Sequence, residues 1–391
     1  MLLLLVPVGL ATVLGLFLLW PDGTPTRAQQ AAEVALPPGT TYPDARVVSV
    51  EPYDCSLDPA VPATCGKAVV EVLDGDGKGD FQQVDIEADV FTSGVAKGDT
   101  LVLSRDPAAE GGPSYQFSDY ERSTPIVVLA ILFAVVVGAV ARWRGLASIL
   151  GLAFAFFILL RFMLPSLLAD SSPTLVSLVG SAAIMFVVLY LAHGFSARTT
   201  TALVGTLFGL TLVAVLGSLA VSAARLTGLT SEETVTLHGY DPTLNFSGLV
   251  LAGVVVAGLG ILNDVTITQA SAIWQLEEAS PDMTWRELYS RGMAVGRDHI
   301  ASTVYTIVFA YAGAFLPALL LLELYSMPFW TAVTSTSLAE EVIRTLVGAI
   351  ALVLAVPVTT AAGAFFAKAA GTEAGRVPDR SMTALRARFA R

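Results

Sequence analysis

Apolar runs about as long as the hydrocarbon core of a bilayer is thick constrain this chain more than any other feature of its sequence. Roughly 20 helical residues at a rise of about 1.5 Å each cover that thickness. Such runs occupy residues 2–20, 126–141, 146–164, 175–192, 201–223, 246–271, 300–322 and 342–366. With 54% hydrophobic and only 14% charged residues, no soluble core needs so much apolar sequence. The chain therefore reads as a polytopic α-helical membrane protein of about eight transmembrane helices. The first run, residues 1–20, is read as an uncleaved anchor, because it is long and lacks a basic leading segment. A cleaved signal peptide is the rival, with small residues downstream at Thr26-Arg-Ala28.

Residues 21–43, rich in Ala, Pro and Gln, read as a flexible linker. Residues 44–121 read as a small all-β domain, OB-like or SH3-like. Alternating or β-branched runs at 45–51, 67–73, 81–90, 100–104 and 114–117 predict five short strands. The only two cysteines, Cys55 and Cys65, fall in this domain. Outside the cytoplasm they are expected to form a disulfide; inside it they would be a pair of free thiols. The segment Asp74-Gly-Asp-Gly-Lys-Gly-Asp80 has a superficial likeness to a calcium loop, but Lys78 stands where a ligand should, so a hairpin turn is the reading. No metal site is expected anywhere, since His193, His238 and His299 are isolated from one another and from Cys.

Charge placement orients the chain. Residues 21–122 hold 18 Asp/Glu against 7 Lys/Arg, a net of −11 that equals the net charge of the whole chain. That acidity excludes binding to nucleic acid or to an anionic lipid surface through this domain. Arg142, Arg144, Arg198, Arg286, Arg291, Arg297 and the basic tail, residues 367–391, fall on one side; loops 165–174, 224–245 and 323–341 are poor in Lys/Arg. The positive-inside rule then places both termini in the cytoplasm of a cytoplasmic membrane and the β domain outside it. The seven later helices, residues 125–366, form the transmembrane domain.

Within that domain, residues 258–275 turn polar at membrane depth, where polar groups are costly unless they face protein or water. Residues three or four apart share a helix face, so Asp264, Thr268, Ser271 and Gln275 form one stripe, with Asn263 and Gln269 beside it. Asp298, Ser302, Tyr305 and Thr306 form a second in the next span, after Arg297. Two such stripes are expected to line a shared polar pocket in which a carboxylate takes up and releases a proton. The competing reading has Asp264 and Asp298 capping helix ends, with Asp298 opening the seventh helix and paired to Arg297 or Arg291. Between the spans, residues 284–293 read as a short amphipathic helix. Its face from Trp285 through Leu288 and Tyr289 to Met293 is either an interfacial anchor or a dock for a cytoplasmic partner. Arg344, one turn after Glu340 and Glu341, is expected to pair locally, and Arg161 to extend outward from its span.

No phosphate-binding Gly-Lys-Ser/Thr loop, Gly-x-Ser-x-Gly or His-Glu-x-x-His occurs, so neither an enzyme nor a cofactor is expected. Four segments carry a family resemblance: residues 258–275; Arg291-Gly-Met-Ala-Val-Gly-Arg-Asp-His-Ile300; Ala310-Tyr-Ala-Gly-Ala-Phe-Leu-Pro317; and 341–348 with Pro357-Val-Thr-Thr360. On these the chain resembles the YibE/F family of bacterial membrane proteins over about residues 40–365. The resemblance implies a multi-span membrane protein and no established activity. Tyr305 stands before Thr306 where the family pattern leads one to expect Asn. The leading functional expectation is a permease for an ion or small polar solute, with proton coupling. The rivals are a non-transporting scaffold or sensor whose β domain binds an envelope ligand, and the membrane subunit of an ABC-type assembly.

Overall fold

A computed structural model describes residues 2–35, 37–58, 60–107, 109 and 112–374. The chain divides into two compact units, Pro25–Val137 and the combination of Met1–Thr24 with Gly138–Arg391. Helix α1 (Leu2–Leu19) opens the chain and belongs to the second; α2 (Arg27–Ala35) begins the first. The helix α2 corrects the expectation of a flexible linker over 21–43. Its Ala- and Gln-rich sequence has high helix propensity, and Thr26 and Gln29 cap it reciprocally, backbone N–H to side chain, at 2.8 and 3.3 Å.

The β unit carries one five-stranded antiparallel sheet: β1 (Asp44–Asp54), β2 (Thr64–Val72), β3 (Phe81–Ile86), β4 (Thr100–Asp106) and β5 (Ser114–Tyr120), in the order β3-β2-β1-β4-β5. All five strands lie where the alternation places them, but β3 ends earlier than expected. Helix α3 (Ala88–Thr92) takes up residues that continue the apolar pattern, and its Phe91 ring packs over Gly66 of β2. Val47, Val70, Ile86, Leu101 and Leu103 point to one face and form the core. The 74–80 segment is the β2–β3 turn, with Gly75, Gly77 and Gly79 all at positive φ. Asp74 there accepts the backbone N–H of Asp44 at 2.7 Å. Burial pushes the Asp44 carboxyl above its ordinary pKa, and the charges of Asp74 and Glu121 add to the effect. A disulfide joins Cys55 to Cys65, with Cα atoms 5.8 Å apart.

Helix α4 (Ser123–Ile158) runs on through a π-helical turn, Leu159–Met163, into α5 (Leu164–Leu168). Two spans were expected over 126–164, divided at Arg142-Trp-Arg144. The helix breaks at that place: Arg142, whose φ of 55° and ψ of −134° are a costly conformation for a side-chain-bearing residue, is non-helical and divides α4 into two helical segments. Then follow α6 (Pro173–His193), α7 (Ala197–Ala223), α8 (Glu232–Tyr240), α9 (Phe246–Ala279), α10 (Trp285–Ala314), α11 (Leu316–Leu324), α12 (Phe329–Val333) and α13 (Thr336–Ala374). Among the described residues, five helices are long and apolar enough to cross a bilayer, or six if α10 and α11, bent by 67°, make one span.

Local sequence fixes the helix ends. Ser196, Asn245 and Thr284 each accept a backbone N–H from the first turn of α7, α9 and α10, and Gly194 ends α6 at a φ of 76°. Helices α7, α9 and α13 pack tightly around one another, with Leu203, Val213, Val255, Leu262, Ala351 and Ala355 in the core. Small residues set the spacing. A Cβ at Gly209 would lie 2.5 Å from Leu262 Cδ2, and one at Gly205 would overlap the Thr359 hydroxyl. Helix α1 packs on α6, where a Cβ at Gly15 would lie 2.7 Å from Val179. Its last turn is held by Ser166, whose hydroxyl donates to the Leu19 carbonyl at 2.8 Å, and by Trp20, whose ring lies 5.6 Å from that of Phe162.

Candidate functional site

Helices α9 and α10 form an antiparallel hairpin closed by the 280–284 turn, and every residue of the two expected polar stripes lies on one of them. Both aspartates sit well inside a helix: Asp264 is mid-α9 and Asp298 is mid-α10. The capping reading is therefore corrected for both. The reason lies in the true start of α10. Thr284 and Glu287 build a capping box at its head, so the segment expected to be a separate surface helix is the first part of α10. Within that part, Leu288 is buried with Ile273, Ala364 and Ala367, and Met293 packs against Val265 and Val356. Much of the expected docking face is thus covered by the chain itself, while Trp285 stays 40% exposed and stacks on Tyr289.

The two stripes share one fate, on the outer surface of the helical unit rather than around an enclosed pocket. Asp264, Thr268, Gln275, Arg297, Asp298, Ser302, Tyr305 and Thr306 are exposed on the outside of the helical unit, whereas Asn263 and Ser271 are half-buried. One side-chain contact links the stripes: Thr268 Oγ1 lies 3.3 Å from His299 Nε2, and the same hydroxyl donates to the Asp264 carbonyl at 2.7 Å. Among the described residues, no ion pair forms at Asp264, Arg297 or Asp298, so the expected pairing of Asp298 with Arg297 or Arg291 is absent. Consecutive helix positions point about 100° apart, which keeps Arg297 and Asp298 from reaching one another. The Asn263 Oδ1 is buried without a hydrogen-bond partner.

Gln269 points the other way, into the protein, and is 2% exposed. Its Nε2 donates to the Gly292 carbonyl of α10 at 2.9 Å and to Thr360 Oγ1 of α13 at 2.8 Å. Close approach makes this possible. A Cβ at Gly296 would lie 2.6 Å from Val356 Cγ1 and 3.2 Å from the Gln269 amide. One turn along α9, Thr266 shares a 2.6 Å hydrogen bond with Thr206 of α7, and both are fully buried. Thr266, Thr206, Thr359 and Thr360 were not singled out in the sequence as site residues. Their signal was there: threonines inside apolar helices, at spacings that aim them inward from Asp264 and Thr268. This sealed polar seam joins α7, α9, α10 and α13, and an unsatisfied polar group there would be costly.

At the other end of α13, Glu340 accepts the Gly228 N–H at 3.2 Å and the Thr230 hydroxyl at 2.9 Å. Glu341 pairs with Arg344, as the spacing predicts, at 2.5 Å. A cavity of about 210 Å³ lies beside Glu341, lined by Tyr311, Phe315, Leu319 and Leu346 among others, where α10 bends into α11. Arg161 is exposed. Among the described residues, no group of three or more His, Cys, Asp or Glu side chains is placed to hold a metal ion. Lys368 donates to the Pro281 carbonyl at 2.7 Å and pairs with Glu277 at 2.8 Å; the basic tail from residue 375 lies outside the described residues.

No curated protein and no solved structure matches the chain. A family model, described as YibE/F-like protein, matches residues 129–369 and so takes in α5 to α12 and the greater part of α4 and α13, but not the β domain. That match covers more than half of the chain, from the apolar start of α4 to the end of the Gln269–Thr360 seam, and on it the chain belongs to the YibE/F-like protein family.

Proposed function

We propose that this protein is a cytoplasmic-membrane permease for an ion or small polar solute, with Asp264 and Asp298 at its polar centre and proton coupling through their carboxylates. One observation carries the reading. Helix α10 runs Asp298, His299, Ser302 and Thr306 beside the Asp264–Thr268 turn of α9, and then bends by 67° into α11. An interrupted helix next to unpaired carboxylates is how many transporters open a mid-membrane site to each side in turn. On this reading the protein is not an enzyme and needs no cofactor.

The topology that goes with the reading has eight crossings. It is supported by the apolar length of α1, by the division of α4 at Arg142, and by taking α10 with α11 as one span. Both termini lie in the cytoplasm and the β domain outside, in keeping with the positive-inside rule and with the Cys55–Cys65 disulfide, which suits an oxidising compartment. Strand order β3-β2-β1-β4-β5, with a short helix between β3 and β4 and with β3 and β5 close together, supports the reading of this domain as an OB-like barrel.

The experiment is flux through purified protein in proteoliposomes carrying an internal pH dye, with outward gradients of single cations applied in turn. Asp264→Asn and Asp298→Asn should each lower proton-linked flux at least tenfold while leaving insertion and detergent-extracted size unchanged. Full flux from both variants would remove the proposal.

A further inference from the structure

Seen down α10, Ala294 and Ala301 lie one above the other near the middle of its outward face, at about 100° per residue. On the same scale Arg297 falls about 50° to one side of that line and Asp298 about 50° to the other. All four residues are exposed, and neither charge has an ion-pair partner among the described residues. Arg291, seven residues before Asp298 on the same flank, and Tyr305, close to the midline, are the other titratable groups that α10 exposes on this face, and His299 is turned to Thr268. Two opposite charges, unpaired at the edge of hydrocarbon and separated by a strip of methyl groups, are an incomplete arrangement for a lone chain in a bilayer.

We propose that this face is the contact of a parallel twofold dimer, in which Arg297 of each copy pairs with Asp298 of the other across a centre made by Ala294 and Ala301. A twofold axis along the membrane normal keeps both copies inserted the same way up and makes the interface self-complementary. Under that symmetry, a residue on one flank of α10 meets the opposite flank of its copy. The two charges are adjacent in sequence, so they stand at depths differing by only about 1.5 Å. Each copy therefore presents the missing counter-ion at the height where it is needed, twice over. The alanines let the two backbones approach closely enough for the side chains to span the gap. An unrelated protein would have to supply an Asp and an Arg at the same depth and on matching flanks, whereas a second copy has them by symmetry. The dimer rests on α10 being embedded in the membrane, as proposed above, and not on what is transported.

The test uses the full chain in proteoliposomes. Ala301→Cys should cross-link to a dimer on mild oxidation, because the two positions face each other across the axis, while Leu219→Cys, exposed on α7, should not. In the Ala301→Cys background, Arg297→Asp and Asp298→Arg should each lower the cross-link yield at least fivefold, and the double charge exchange should restore it. The proposal is overturned by a monomer in both oxidised and untreated vesicles, by single reversals that cross-link like the parent, by a double exchange no better than the singles, or by cross-links to a different protein in native membranes. Flux in the same vesicles separates the two proposals. A dimer whose flux ignores Asp264→Asn removes the permease alone, and an Ala301→Cys protein that keeps its flux yet forms no cross-link removes the dimer alone.

Discussion

Replacing Gln269 with Leu isolates the contribution of the buried seam to stability. The side chain makes two hydrogen bonds, to the Gly292 carbonyl and the Thr360 hydroxyl. Leu has nearly the same volume and leaves little cavity. Neither partner is orphaned: the Gly292 carbonyl keeps its place in the α10 ladder, and the Thr360 hydroxyl donates to the Val356 carbonyl at 2.7 Å. The penalty for an unsatisfied buried group, about 1–3 kcal/mol, is therefore not incurred. What is lost is the net value of two bonds, about 1.2 kcal/mol at the mean of ~0.6 kcal/mol measured between membrane helices. Gln269→Ala also opens a void against Gly296 and should cost about 3 kcal/mol. Reversible unfolding in mixed detergent micelles, followed by tryptophan fluorescence, measures both. A double-mutant cycle of Gln269→Leu with Thr360→Val should return a coupling of about 0.6 kcal/mol. Strict additivity of the two substitutions would refute the reasoning, as would a cost above about 3 kcal/mol for Gln269→Leu, the size expected when a buried partner is orphaned.

Two further outcomes are expected in the β unit, both read in the full chain. Cys65→Ser should make the 54–65 segment more sensitive to added protease, with a loss of about 3 kcal/mol on the chain-entropy account of a short closed loop. The Asp44 carboxyl has a folded pKa above its unfolded one, so ionising it opposes folding. That opposition is absent below the unfolded value and complete above the folded value, so the group favours the folded unit as pH falls through this window. Asp44→Asn should stabilise the β unit at neutral pH and remove this part of its pH dependence; equal stability of the variant and parent at pH 7 would contradict the assignment.

Period-two alternation made all five strands legible, because each buries one face on a shared core. The apolar helices were legible for the simpler reason that nothing else suits runs of that length. Their boundaries were less so. A surface helix is expected to start at Thr284, but the sequence holds no proline between it and Ala314, so the two expected elements are one helix. The candidate site was half legible. Helical spacing put Asp264 with Thr268 and Asp298 with Ser302 correctly on common faces. Spacing within one helix says nothing about which face meets the bundle, and that depends on where the small residues are. Gly205, Gly209, Gly292 and Gly296 draw α7, α9, α10 and α13 together on the side of Gln269 and Thr266, which leaves Asp264 and Asp298 outside.

The anchoring of α1 has a consequence in time. Its last carbonyl is held by Ser166, 147 residues further along the chain, and its flank by Val179 of α6. At about 5–20 residues per second, the ribosome delivers that hydroxyl roughly 7–30 s after Leu19 has been made. Throughout that interval the first helix is without its socket. The whole β unit is synthesised during the same wait. The β sheet and its disulfide can thus be complete before the helix that precedes them has found its place.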